Sequence, residues 1–220
     1  RESEFAAAAR LFEPMFEKWG DRFFVIPGNH DRYTPMSVRK RGYERHFPYA
    51  QFEGGRRVRS LEIDGVRLVG FDASRPYWVR SNGLFDEALQ RELGAELATA
   101  GDLATILVGH FPFAYPGGVE GKWDHKLLGD GQLARVVAEH KPAVYLHGHK
   151  HQRWVLRDAR APETLCINCG PAGMGSSDPD KHSGWVRFEL DSEGVVSQLE
   201  SAVLNQSGIA RDTMRVPPQA

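Results

Sequence analysis

The sequence predicts an α/β fold of two packed mixed β-sheets flanked by helices, and three observations carry that expectation. Apolar runs at Phe23–Pro27, Ala104–Val108 and Ala143–His147 lead into Gly28-Asn29-His30-Asp31, Gly109-His110 and Gly148-His149-Lys150-His151. Open α/β sheets deliver ligand-type side chains in this way, from the C-terminal ends of their strands into one crevice. Helical and strand-like periods alternate through the earlier part of the chain. From Trp154 onward strand-like runs dominate, so a second sheet is expected to face the first.

Taken in order, Phe5, Ala8, Ala9, Phe12, Met15, Phe16 and Trp19 recur at helical spacing and predict a core-facing helix over Ser3–Trp19. Pro14 is expected to kink or split it, because proline lacks the backbone donor and clashes with the preceding turn. Gly20 is a plausible stop, and Arg22–Ile26 reads as a strand. Ser37–Phe47 is expected as a short basic helix. Val58–Ile63 and Val66–Phe71 flank Asp64-Gly65, whose residues both tolerate positive φ, so a hairpin is predicted. Phe85, Ala88, Leu89, Leu93 and Leu97 give Leu84–Ala98 one apolar face, hence a second packed helix.

The Ala104–Val108 strand is followed by a long loop holding Phe111, Pro112, Tyr115, Pro116, Gly117, Gly118 and Trp123. Loops of such length inside a domain are usually functional. A helix near Gln132–Glu139 leads to the Val144 strand. Trp154–Leu156, Thr164–Cys169, Val186–Leu190 and Val195–Leu199 are expected to form an antiparallel meander. Residues 1–204 are thus read as one domain, and residues 205–220, polar and ending near Pro217-Pro218, as a loose tail.

A chain of 220 residues with 41% hydrophobic content can bury one sizeable core. Its net charge of -1 creates no field for polyanions, so a nucleic-acid polymer is not an expected partner. No apolar run approaches the roughly 20 residues that span a bilayer. Cys166 and Cys169 form a single C-x-x-C, which without a second pair is weak evidence for zinc. In a strand the two would point to opposite faces, so buried strand residues are expected. That cysteine usage fits a reducing compartment, and a cytoplasmic location is the expectation. The chain opens with Arg1 rather than Met, which leaves an upstream targeting segment open.

Asn29 offers a neutral carbonyl oxygen suited to borderline or hard divalent ions; His30 could transfer a proton, and Asp31 could hold its imidazole in one tautomer. Alone, Gly-Asn would equally be turn chemistry. His149 and His151 stand two apart, so they could share a face or meet two neighbouring ions, with Gly148 allowing the backbone to approach and bend. A lone strand-end histidine such as His110 is usually satisfied by ordinary hydrogen bonds, and its weight comes from position. His147 is read as structural or outer-shell. His46, His140 and His182 are read as surface residues, while His125, in the long loop, could touch substrate.

The ordered motifs G-N-H-D, G-H and G-H-x-H resemble the last three of the calcineurin-like metallophosphoesterase family, and the match spans most of the chain. Gly70-Phe71-Asp72-Ala73-Ser74 followed by Gly83-Leu84 is also similar to the bacterial cyclic-nucleotide phosphodiesterase (class III) branch. The resemblance implies an α-β-β-α sandwich and two divalent ions, with Mn, Fe or Zn as the candidates. It implies that Asn29, His110 and His149 bind one ion, His151 binds the other, and His30, oriented by Asp31, is the acid near the leaving group. The family's D-x-H and G-D-x-x-D motifs, the second of which supplies a bridging carboxylate, do not occur. Arg1-Glu2-Ser3-Glu4-Phe5 resembles the helix start that follows G-D-x-x-D, so an N-terminally truncated domain is expected.

The function implied is hydrolysis of a phosphomonoester or phosphodiester, with a small substrate for which a nucleotide is one candidate. Two dications about 3.5–4 Å apart would lower the pKa of a bridging water and brace the phosphoryl oxygens. The alternatives are a non-catalytic scaffold of the same fold that binds protein partners, and a structural zinc protein. His30 and Asp31 would be superfluous in a scaffold, and Asn29 is a poor ligand for a closed zinc site.

Overall fold

The computed structural model describes residues 2–77, 80–118, 125–173, 181–191, 193–205 and 208–218. Its centre is a six-stranded sheet built from β1 (Val58–Ile63), β2 (Val66–Phe71), β4 (Ala104–Val108), β6 (Val144–His147), β7 (Arg153–Asp158) and β8 (Ala161–Cys169), in the order β1-β2-β4-β6-β8-β7. The four inner strands are parallel, and an antiparallel strand closes each edge. A short parallel pair, β3 (Gly83–Leu84) with β5 (Leu127–Leu128), lies apart. The hairpin expected at Asp64-Gly65 forms with Ile63 opposite Val66, and both turn residues are left-handed (φ 50 and 81).

Inner parallel strands are covered on both faces and need apolar residues on each, and these strands supply them. Val69, Phe71, Leu107, Tyr145 and Cys166 face one side, where α4 (Glu87–Leu97) and α5 (Asp130–His140) add Leu89, Leu93, Leu133 and Val137. Ile106, Val144, Leu165 and Ile167 face the other, where β9 (Gly184–Leu190), β10 (Val196–Asn205) and β11 (Gly208–Thr213) form an antiparallel sheet in the order β11-β10-β9. The two cysteines do point apart: Cys166 lies in the first core and Cys169 packs against the second.

Several expectations are corrected. The run from Trp154 to Leu199 is not one meander: β8 crosses to lie parallel to β6, and its almost continuous burial explains an inner position, leaving β9–β11 as the separate antiparallel unit. Residues 205–220 are no loose tail throughout, since Gly208–Thr213 pairs with β10 although all six residues are exposed. Phe23–Pro27 is a half-buried extended segment that joins neither sheet among the described residues. The basic helix over 37–47 is two helices, α2 (Pro35–Arg39) and α3 (Gly42–His46), broken where Arg41 turns left-handed (φ 50).

Helix α1 (Glu2–Trp19) continues through Pro14, and both Pro14 and Arg10, whose carbonyl loses its helical donor, lie on an exposed face. Its stripe is only partly buried: Phe5, Ala8, Ala9 and Phe12 pack with Tyr43 and Phe47 of the α3 region, whereas Met15 and Trp19 remain exposed. Trp123 of the long loop lies outside the described residues.

Candidate metal centre

Two of the three motifs meet because the β4–β6 register extends past the strands, and the Asn29 turn, which follows no strand among the described residues, closes over them. Gly109 N–H donates to the Leu146 carbonyl (3.0 Å) and Gly148 N–H to the His110 carbonyl (3.1 Å), so His110 and His149 emerge side by side. The Asn29 turn closes on itself: Asp31 N–H donates to the Gly28 carbonyl (3.1 Å), and Gly28 N–H donates to the Asp31 carboxylate (2.7 Å). That turn places Asn29 Oδ1 2.7 Å from His110 Nε2 and 3.4 Å from His149 Nδ1, while the two ring nitrogens are 3.2 Å apart.

Burial is what makes these imidazoles useful as donors. It drives the pKa of His110 well below the ordinary histidine value, assisted by the neighbouring histidines. His149 is pushed down to about 4, chiefly by burial and then by Lys150. Both rings are therefore neutral at pH 7, and each keeps a lone pair. His149 and His151 are both left-handed (φ 69 and 53), a conformation costly for residues with a Cβ that recurs at functional sites.

Two glycines carry opposite lessons. A Cβ on Gly28 would lie 2.9 Å from ring atoms of His110, so only glycine lets the turn pass over that ring. Gly148 has open space around its missing Cβ and no positive φ, so the bend expected of it is made by His149 and His151 instead. We expect Gly28→Ala to displace the His110 ring and weaken divalent-ion binding about tenfold, the scale of outer-shell changes. Gly148→Ala should leave calorimetric affinity as it was; equal effects from the two would show that the close approach is irrelevant.

Above the triangle opens a cleft of about 510 Å³ lined by Asn29, His30, Ser81, His125, His149, Lys150 and His151. His30 is exposed there, its ring parallel to Tyr33 at 5.6 Å between centroids. His151 lines the same cleft outside the triangle. Asp31 behaves differently from expectation: its carboxylate accepts from Gly28 N–H, and among the described residues no hydrogen bond joins it to His30. Its pKa is raised by burial, which outweighs that bond.

His147 is buried beside Tyr145 and Trp154 with no hydrogen-bond partner at either ring nitrogen among the described residues, and burial pushes it down to about 3. It packs as a buried core residue. His125 lines the cleft, and its carbonyl accepts from Lys150 Nζ (2.7 Å) and from the His149 ring (3.2 Å). Ser81 and Lys150 are cleft residues that sequence reasoning missed. Lys150 stood inside the Gly148–His151 motif, whereas Ser81 sits in an aperiodic loop without a local signal.

The spacing and chemistry of the donors decide whether they fit one ion. Ligands about 2.1 Å from one ion stand roughly 3.0–3.4 Å from each other, and the three edges here fall in or near that range. The set of one amide oxygen and two neutral imidazoles fits a first-row divalent ion. Among the described residues no group of three or more His, Cys, Asp or Glu side chains converges, so the site depends on its asparagine.

The chain belongs to the calcineurin-like phosphoesterase family, whose model matches residues 2–153. Among solved structures it is similar to a purple acid phosphatase from yellow lupin (Lupinus luteus) seeds, at 13% identity and TM-score 0.51, over 84% of this chain and 39% of that one. It also matches a dimetal phosphatase from Danio rerio, at 14% identity and TM-score 0.42, over 71% of this chain and 57% of that one. The chain therefore spans less than two thirds of either protein, and likeness at such identity concerns the fold alone. No curated protein matches the sequence. Membership of that family is consistent with phosphoester hydrolysis in general. Among the described residues no helix is long and apolar enough to cross a membrane.

Proposed function

We propose that this chain carries the ion-binding and proton-donating parts of a metal-dependent phosphoesterase that hydrolyses a small phosphomonoester or phosphodiester. The observation that carries the reading is the triangle of Asn29 Oδ1, His110 Nε2 and His149 Nδ1 beneath a cleft that also holds His30 and His151. The triangle would hold one Mn, Fe or Zn ion; a second ion, beside His151, would need further ligands. Divalent ions bound there supply charge neutralisation and Lewis acidity to a phosphoryl group. His110 and His149 stay unprotonated because they are buried, so they do not compete for protons. His30, exposed and held flat against Tyr33, delivers a proton to the departing ester oxygen. A cleft of about 510 Å³ suits a small ester, a nucleotide included.

The test has two arms. Manganese titration of the chain should show a site that His110→Ala or His149→Ala weakens by more than about 100-fold, beyond what outer-shell changes cause. Unchanged affinity in folded variants would remove the site. Mono- and diester hydrolysis by the natural protein containing this chain should require the same ion and fall with the same variants. Metal binding without any hydrolysis would favour the scaffold reading.

A further inference from the structure

The turn that holds Asn29 and His30 has no strand pairing to aim it. Its approach, Phe23–Pro27, belongs to no sheet among the described residues and is met by the Tyr43 hydroxyl at the Val25 carbonyl (3.2 Å), while the backbone hydrogen bonds of the turn stay within residues 28–32. His110 and His149 are different, being set by the β4–β6 register. Something must hold the first group in line with the second. Arg32, the next residue, donates its backbone N–H to the Asn29 carbonyl (3.2 Å) and sends its guanidinium inward. Nε meets Asp72 Oδ2 at 3.0 Å, a terminal nitrogen meets Glu44 Oε1 at 2.6 Å, and the group lies 5.3 Å from the centre of the Tyr43 ring.

Asp72 is a fixed anchor. It directly follows β2, is 6% exposed, donates its N–H to the Arg57 carbonyl (2.8 Å) and accepts from Ser74 N–H (2.8 Å). Arg32 itself is 9% exposed. Two carboxylates around one guanidinium bury an excess negative charge, and apolar packing commonly stabilises such a place as well or better. Such a cluster is better explained by geometry than by stability. We infer that Arg32 is a positioning residue: gripped between Asp72 and Glu44, its guanidinium orients the Asn29–Asp31 turn, and with it the aim of His30 and of the Asn29 carbonyl. The inference deepens the functional reading and rests on it for what His30 and Asn29 do. It also gives Asp72-Ala73-Ser74 a physical task, holding the far end of the arginine.

The test uses Arg32→Lys, which keeps the charge but loses the two-pronged grip, and Asp72→Asn, which weakens the same contact from the other side. In folded protein each should lower manganese affinity about tenfold. Each should also lower kcat by a larger factor than it changes KM. The His30 ring protons, shifted in NMR by the parallel Tyr33 ring, should move toward solvent values. The double variant should be no worse than the worse single one, because both break one linkage. Unchanged manganese affinity and His30 signals in folded Arg32→Lys and Asp72→Asn would overturn the inference, as would fully additive losses. If the unsubstituted chain turned out to hydrolyse nothing while affinity and His30 signals still moved, the functional reading would fail and the positioning role would stand.

Discussion

Replacing His30 by alanine is expected to slow phosphoester hydrolysis by about 10²–10⁴-fold, the range of a lost general acid, while the content of divalent ion stays the same. The reason is placement. His30 lines the cleft beside the Asn29–His110–His149 triangle, yet it is exposed and stacked on Tyr33 rather than joined to those three residues. A proton donor should matter less when the departing oxygen needs no proton. The loss should therefore shrink as leaving-group acidity rises, and be smallest for nitrophenyl esters. The measurements are kcat across an ester series together with elemental analysis of the protein. Parallel loss of metal and activity would make His30 a ligand instead.

The second large effect concerns stability. Glu96 of α4 accepts from Arg67 of β2 (2.6 Å), from Ser60 of β1 (2.5 Å) and from Arg56 (2.7 Å), locking the helix to the β1–β2 hairpin. The Arg67 and Glu96 side chains are 9% and 12% exposed, so removing the carboxylate strands much of a buried positive charge. Glu62 (2.9 Å) and Thr99 (2.7 Å) still contact Arg67 and soften the loss. Glu96→Ala should cost about 3 kcal/mol in urea unfolding at pH 7.

The same contacts set a pH dependence. Burial alone would raise the Glu96 pKa, but the bonds from Ser60, Arg56 and Arg67 outweigh it and hold the group at about 2 against an ordinary 4.5. A carboxylate depressed in the folded state binds fewer protons than in the unfolded chain. Its contribution is therefore complete above pH 4.5 and is lost as pH falls toward about 2, a change of up to about 3 kcal/mol. The gap between the original protein and Glu96→Gln should close across that window. A gap that stays constant from pH 7 to pH 2.5 would mean the carboxylate is not what binds the helix.

Some of this was readable from local chemistry. Asp64-Gly65 announced its hairpin because only a few residue pairs adopt two left-handed conformations in succession. Val58–Ile63, Val66–Phe71 and Ala104–Val108 appear with the expected limits, since β-branched and apolar runs bounded by turn residues leave little freedom in register. Asn29, His30, His149 and His151 line one cleft, with His110 beneath in contact with Asn29. The failures have a common cause. Whether Phe23–Ile26 pairs, whether Gly208–Thr213 adds to a sheet, and how far the α1 stripe is covered all depend on distant partners, which no local period records.

The division at the candidate site follows the same line. By itself the sequence determined the donor types, their order and the attachment of His110 and of the His149 segment to strand ends, because those properties travel with neighbouring residues. Only the tertiary structure decided which donors touch, that Asp31 turns back on Gly28 rather than toward His30, and that Arg32 reaches Asp72 across forty positions. The first depends on the parallel register of β4 and β6, which sets His110 beside His149, and the others on which partners the packed chain brings to each carboxylate.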